Sequence, residues 1–313
     1  MRLRFVKCHG SGNDFPLIDA RDAALDGTDW AGVARALADR AGPVGGDGLL
    51  LLTRGDERAA FGMRMFNSDG SEAETCLNGL RCVARAGFAA LGLERATVRL
   101  KTSYAEVALA EALAPGVYTV AETAGPASLD AAAWPLRDAP ARIVEARVPP
   151  LPSERAFTAV AMPNPHLVAF VDTVDEAELV AVGQACEAAP PWLPNRANVS
   201  FVELRGDDRL YVRTFERGVG LTDSCGSAMA ASTYAAGLTG RVAFDRALTV
   251  YNRGGLVRAR AGADAMVTLH GNATWEWEGS VTVDPARGVA GELAVDRHAA
   301  DEIAAWARVV AAA

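Results

Sequence analysis

The chain has 313 residues, half of them apolar, 22% charged, with a formal net charge of -8. That length and apolar content bury a sizeable core and divide naturally into two domains of ordinary size. The acidic balance repels phosphate backbones and excludes nucleic acid as a partner. The first residues, interrupted by Arg2, Arg4 and Lys7, hold no export-signal core, and no stretch approaches the about 18 apolar residues of a membrane span. A soluble, cytoplasmic protein is expected.

In chain order, β-like runs are predicted at residues 3–7, 61–66, 97–101, 117–121, 142–148, 156–161, 210–215 and 248–251. Helical periodicity predicts helices at 30–40, 77–91, 176–187, 226–238 and 301–310, the last with an apolar stripe of Ile303, Trp306, Val309 and Val310 that packs on the body or on a second subunit. Few helices among many short strands make an α+β fold. Residues 126–140, PASLDAAAWPLRDAP, are rich in Ala and Pro without sustained periodicity and read as a linker.

The five cysteines, Cys8, Cys76, Cys82, Cys186 and Cys225, form no CxxC pair, and the four histidines show no HxxxH spacing. Neither a disulfide scaffold nor a metal site is indicated. The only lysines, Lys7 and Lys101, lie in strand-like segments, which leaves little place for a Schiff base to pyridoxal phosphate. No cofactor is expected.

RMFNSDGSEAETCLNG (residues 64–79) aligns with RTFERGVGLTDSCGSA (213–228) at a constant offset of 149 residues, with Arg, Phe and Cys coinciding. Each copy runs strand, Gly-containing loop, hydroxyl residue (Thr75 or Ser224), cysteine, helix. The chain therefore reads as two similar halves. Thr75 and Ser224 are good N-caps, which would place Cys76 and Cys225 at the first helical position. Unpaired amides and the helix dipole there favour a thiolate and can also hold a substrate carboxylate. Inverting a stereocentre by proton transfer needs a base on one face and an acid on the other, and a duplicated cysteine supplies both. A lone free cysteine is most often structural; Cys8, Cys82 and Cys186 lack the helix-start context and are read that way.

The motifs HGSGNDF (9–15), FNSDGSEAETCLNGLRC (66–82), NPH (164–166), NRAN (195–198) and FERGVGLTDSCGSA (215–228) resemble diaminopimelate epimerases from residue 1 to about 280. The resemblance implies two pseudo-symmetric domains, each a curled mixed sheet around a central helix, with the active site between them and neither pyridoxal phosphate nor metal. It implies a first domain at residues 1–125 joined by a returning segment at 272–313, a second at 126–271, and a homodimer. Cys76 and Cys225 would be the acid/base pair. Asn13, Asn67, Asn164, Asn198 and Arg217 would hold the distal amino and carboxyl groups of the substrate, and His166 and Glu216 the amino group near the reacting carbon. Leu77, Asn78, Gly226 and Ser227 would offer helix-start groups to a carboxylate. From the residues alone, Arg217 can pair bidentately with a carboxylate, whereas Asn beside Pro or Gly often only makes a turn. Ser68, Asp69, Gly70 and residues 218–220 read as loop formers, and Glu72 and Glu74 as solvated or capping.

Two departures from the family pattern stand out. Leu77 occupies a position usually held by Gly, and Leu221 one usually held by Glu. The leading expectation is interconversion of LL- and meso-diaminopimelate. Alternatives are a racemase of the same fold acting on histidine or a proline-like amino acid, and a non-catalytic binding or redox-sensing protein.

Overall fold

The computed structural model describes residues 1–130, 136–137 and 140–312, apart from the side chain of Ala23. The chain divides into two compact units, Met1–Glu122 with His270–Ala312, and Thr123–Leu269. The middle of the predicted linker lies outside the described residues. Its described flanks belong to the second unit, where the Ser128 amide bonds Ala161 O and Leu136 is buried in the core.

The first unit contains β1 (Arg2–Gly10), β2 (Asn13–Asp19), α1 (Trp30–Ala38), β3 (Gly48–Arg54), β4 (Phe61–Asn67), β5 (Glu72–Ala73), α2 (Leu77–Leu91), β6 (Arg95–Arg99) and β7 (Tyr104–Leu109). β8 (Thr119–Ala124) leads out of it. After β16 (Val267–Asn272) brings the chain back, β17 (Thr274–Asp284), β18 (Val289–His298) and α5 (Ala300–Ala311) complete it. Strand neighbours run β18, β17, β1, β2, β3, β4, β6, β7, β8, with β2–β3 and β4–β6 parallel and the rest antiparallel.

The second unit contains β9 (Thr158–Ala161), β10 (Pro165–Val171), α3 (Glu176–Glu187), β11 (Asn198–Leu204), β12 (Arg209–Glu216), β13 (Gly220–Thr222), α4 (Gly226–Leu238), β14 (Leu248–Asn252) and β15 (Gly255–Ala261). Its neighbours run β9, β10, β11, β12, β14, β15, with β10–β11 and β12–β14 parallel. The two parallel pairings occupy the same places in both halves. The duplication thus extends from the cysteine segments to whole units.

In each unit one helix is wrapped by the sheet. α2 touches β1, β2, β3, β4, β6 and β7, and α4 touches β9, β10, β11, β12, β14 and β15. A helix enclosed on every side must be apolar or small all round; α4, GSAMAASTYAAGL, is buried from Gly226 to Ala236. The second helix of each unit covers the sheet's other face. Leu49 and Leu51 of β3 pack in the core with Val33, Ala34 and Leu37 of α1, while Leu50 faces Gly79 of α2. β3 is therefore apolar on both faces. Gly92 ends α2 in the left-handed conformation (φ 68°), its N–H bonding Phe88 O, as C-terminal glycines do.

Several predicted elements differ from those observed; the strand expected at 117–121, for one, runs Thr119–Ala124. Residues 142–148 form no strand, only an isolated bridge between Ala146 and Phe157, their buried Ile143 and Val148 serving the core instead. The strand predicted at 97–101 lies at Arg95–Arg99, so Lys101 sits in the bend beyond it with its Nζ donating to Glu72 O at 2.9 Å. The first helix stops at Ala38 because the chain turns at Asp39 to Gly46, whose amide bonds back to Ala38 O.

Of the apolar stripe on α5, Trp306 packs with Val117 and Ala305, and Val309 lies against them. Ile303 and Val310 remain 40% and 37% exposed. Trp306→Ala should lower the unfolding free energy by about 3–5 kcal/mol in denaturant titration, and Ile303→Ala by under about 0.5 kcal/mol. Equal losses would show that α5 is not docked through Trp306.

Candidate active site

The residues leading into α2 and α4 adopt extended conformations, and in both helices the capping residue is the cysteine itself: Cys76 has φ -150° and ψ 103°, and Cys225 φ -130° and ψ 110°. Sequence reasoning put the caps one residue earlier, at Thr75 and Ser224. The sulfur explains the difference, because Cys76 Sγ accepts the third-position amide of Gly79 at 3.4 Å, the bond a cap side chain makes. At Cys225 the equivalent Ala228 N–H favours the thiolate but closes no capping bond. Leu77, Asn78 and Gly79 follow Cys76 as the first helical positions, and Gly226, Ser227 and Ala228 follow Cys225.

Around Cys76, β2 supplies Asn13, whose Oδ1 lies 3.8 Å from Sγ and 3.4 Å from Asn78 Nδ2. Asn13 Nδ2 donates to Asp47 at 2.5 Å. Asn78 is buried and its Oδ1 accepts from Arg81 Nη2 at 2.8 Å. Gly10 of the HGSGNDF motif has a reason to be Gly: a Cβ there would stand 2.5 Å from Asn78 O, so β1 could not pass the first turn of α2. Asn67 stands apart from this group, its Nδ2 bonding Ser71 Oγ at 3.0 Å in the loop after β4. Leu77 is buried. Glu72, read as solvated, instead pairs bidentately with Arg64 at 2.7 and 3.1 Å, and that bond holds its carboxyl below the usual range.

Around Cys225 the expected residues form one connected set. Cys225 Sγ meets Ser227 Oγ at 3.5 Å, Asn164 Nδ2 donates to that hydroxyl at 3.1 Å, and Asn164 Oδ1 meets His166 Nε2 at 3.0 Å. Asn198 Nδ2 also faces that nitrogen, at 3.5 Å; the shorter contact is to a carbonyl oxygen, which only accepts, and it favours the tautomer with the proton on Nε2. His166 Nδ1 is then a bare acceptor, buried and without a hydrogen-bond partner. Asn198 donates to Pro165 O at 3.2 Å and accepts the Arg217 amide at 2.9 Å, while the Arg217 guanidinium reaches Asn195 O at 3.1 Å on the exposed side. Glu216 accepts from Thr222 Oγ1 at 3.0 Å and lies beside Cys225.

The electrostatics differ from the simple helix-start expectation of a thiolate. Burial pushes the Cys225 thiol well above its ordinary range, the Glu216 carboxylate adds to this, and Ser227 and the Ala228 amide only partly oppose it. Cys225 is a thiol at neutral pH. Burial also pushes Cys186 up to about 12 and Cys8 well above the usual value, the latter helped by contact with Cys82. These three, all buried, behave as core residues.

The diaminopimelate epimerase family profile matches residues 5–122 and 158–276. The chain is 40% identical over 290 residues to a diaminopimelate epimerase of Clostridium acetobutylicum, covering 91% of this chain and 87% of that one. It is 38% identical over 304 residues to one of Listeria innocua, covering 93% and 91%. The chain belongs to the diaminopimelate epimerase family. A solved predicted epimerase of Pseudomonas aeruginosa shares this family's fold at TM-score 0.65 and 18% identity, over 90% of this chain and all of that one. A hydroxyproline epimerase of Agrobacterium vitis does so at TM-score 0.61 and 14% identity, over 92% and 94%.

Within this epimerase family member, Leu221 stands where the repeat places Glu72 in the other half. Arg64 uses Glu72, whereas Arg213 pairs with Glu176 of α3 at 2.7 Å and donates to Thr222 O at 2.6 Å. The buried arginine is satisfied without a carboxylate at 221. Sequence reasoning missed Asp47, Arg81 and Glu122, which sit behind Asn13 and Asn78, and Glu187, whose carboxylate accepts from Arg196 and from the Gly218 amide and so fixes the loop carrying Arg217. The repeat could have pointed to none of them, since it aligns only the cysteine segments.

Burial lowers His9 to about 4, and burial with the nearby Arg217 lowers His166 to about 3, from 6.5. The unfolded chain therefore binds protons that the folded one refuses, so the stability conferred by neutral rings is complete above about pH 6.5 and is lost as pH falls towards the folded values. Between pH 6.5 and about 4 each ring should cost about 1.4 kcal/mol per pH unit. Denaturant unfolding of His166→Gln across this range should lose one such increment of slope; an unaltered slope would mean that His166 is not buried as the neutral ring.

Proposed function

We propose that the chain interconverts LL- and meso-diaminopimelate without a cofactor, with Cys76 and Cys225 as the proton-transferring pair. The observation that carries this reading is the occurrence, once in each repeated unit, of a cysteine capping a sheet-wrapped helix beside carboxamide side chains, in a chain about 40% identical to proteins named for that reaction. One sulfur takes the Cα proton on one face of the carbanion-like transition state, and the other delivers a proton to the opposite face. Either cysteine fills either role, according to direction.

The helix-start groups at Leu77, Asn78, Gly226 and Ser227 receive the carboxylate next to the reacting carbon. His166 Nδ1, a buried acceptor with nothing to accept, and Glu216 receive the adjacent ammonium. Asn13, Asn67, Asn164, Asn198 and Arg217 hold the distal amino and carboxyl groups, Arg217 as the bidentate partner of a carboxylate. The two units serve as the enzyme's two domains, and the protein works as a cytoplasmic homodimer in lysine and peptidoglycan biosynthesis. Among the described residues no helix is long and apolar enough to cross a membrane.

Cys76→Ala and Cys225→Ala should each lower epimerisation by at least about 100-fold, the low end of what a positioned acid or base contributes. Cys82→Ala should change it less than about twofold. Near-normal turnover in either of the first two variants would overturn the two-cysteine reading. Arg217→Met should cost about 30- to 4000-fold, equivalent to roughly 2–5 kcal/mol for one partner of a charge pair. In a panel of amino acids, faster racemisation of histidine or proline than of diaminopimelate would leave the chemistry standing and remove the substrate assignment.

A further inference from the structure

Beside Cys76 two carboxamides stand in a row between charges of opposite sign. Asn13 Nδ2 donates to the Asp47 carboxylate at 2.5 Å, Asn78 Nδ2 donates to Asn13 Oδ1 at 3.4 Å, and Arg81 Nη2 donates to Asn78 Oδ1 at 2.8 Å. Arg81 is fully buried, with Nη1 on Glu122 at 2.6 Å and Nε on Asn272 O at 3.1 Å. A carboxylate only accepts and a guanidinium only donates. The nitrogen of Asn13 must therefore face Asp47, and the oxygen of Asn78 must face Arg81. With both ends fixed, the middle contact is N–H to oxygen; turning Asn13 over would set its oxygen against the Asp47 carboxylate, and turning Asn78 over would set its NH2 against the Arg81 guanidinium.

This direction matters because Cys76 Sγ lies against the Asn13 oxygen, at 3.8 Å. A carbonyl oxygen beside sulfur favours S–H, whereas an amide N–H in the same place would favour the thiolate. We propose that Asp47 and the Arg81–Glu122 pair are positioning residues that hold the Asn13 carboxamide with its oxygen towards Cys76, keeping that cysteine as a thiol in the substrate-free enzyme. A substrate ammonium that takes over the Asn13 oxygen removes the bias and releases Cys76 to act as a base. The inference rests on Cys76 being one of the acid/base pair.

The charged and titratable groups around the row come from several elements: Lys7 and His9 of β1, Asp14 of β2, Arg40 and Asp47 after α1, Arg81 of α2, Glu122 of β8 and Glu276 of β17. Lys7, Asp14, Arg40 and Asp47 are bonded among themselves. His9 is neutral. Charge felt through space and amide orientation predict different patterns when the ends of the row are removed. Asp47→Ala deletes one charge together with the acceptor of Asn13 Nδ2, whereas Arg81→Met/Glu122→Gln deletes a pair and leaves the net charge unaltered. Either end alone still fixes the direction, so only loss of both frees the amide.

The test is the pH dependence of Cys76 alkylation by iodoacetamide, followed by peptide mass spectrometry at constant salt in Asp47→Ala, Arg81→Met/Glu122→Gln and the triple variant. The midpoint reports protonation and the high-pH plateau reports access, so a role confined to packing moves the plateau alone. Each partial variant should shift the midpoint down by less than about half a unit, and the triple variant by at least about one unit more than their sum, a tenfold faster reaction below the midpoint. Additive shifts, or a triple-variant midpoint that stays or rises, overturn the proposal. Should thermal melting show the triple variant unfolded, Asn78→Ala with Asp47→Ala breaks the same row while leaving the Arg81–Glu122 pair, and the same non-additivity is required. Additive midpoints in a protein whose Cys76→Ala variant has lost epimerisation would sink the positioning proposal alone; retained epimerisation in Cys76→Ala would sink the reading beneath it.

Discussion

Everything at the site depends on a helix whose first amides are left without helical partners and whose cap is a sulfur. A helix start must satisfy its free N–H groups, and here they are offered to cysteine and, in the functional reading, to substrate. That arrangement is possible only if the helix end is held away from water while the sulfur stays reachable. Six strands wrapped around each of α2 and α4 supply the enclosure. The small residues of α4 and the glycine at position 10 beside α2 permit it, because larger side chains would hold strand and helix apart.

The two units repeat an architecture without repeating a chemical environment. Cys76 accepts a capping amide and meets a neutral carboxamide oxygen; Cys225 lacks the capping bond and sits beside a carboxylate and a hydroxyl. Arginines at equivalent positions likewise use different acids, Glu72 for the half-exposed Arg64 and Glu176 for the buried Arg213. In the two-cysteine reading, sulfurs that serve opposite faces of an asymmetric substrate need not share one proton affinity. Burial, which stabilises the thiol, and the helix-start amides, which stabilise the thiolate, are in competition at Cys225, and burial wins.

Much of the fold was legible in the sequence, for reasons that differ from element to element. Amphipathic or all-apolar periodicity located α2, α3 and α4 at the observed boundaries. β3 escaped because GLLLLTR is buried on both faces and shows no alternation. Residues 142–148 misled for the converse reason, since alternating apolar residues were used to anchor an irregular segment to the core. At the site, motif and repeat led to both cysteines and to the Asn164, His166 and Asn198 group that the structure connects. The supporting ion pair of Arg81 and Glu122 lay 41 residues apart with no motif to join them, and only the three-dimensional path of β8 past α2 makes them partners. The cap was misplaced because hydroxyl residues usually take that role, and nothing local reveals that a thiol has displaced them.

The central claim is that two monoprotic sulfurs share the inversion, one removing the proton and the other delivering a different one. It is tested most directly by running LL-diaminopimelate through early turnover in deuterium oxide and reading the isotope at the reacting carbon of both product and recovered substrate. The two-cysteine account predicts that meso product carries one solvent deuterium in nearly every molecule while recovered LL substrate stays unlabelled. Product that retains the original proton, or substrate that gains deuterium as fast as product forms, would contradict it.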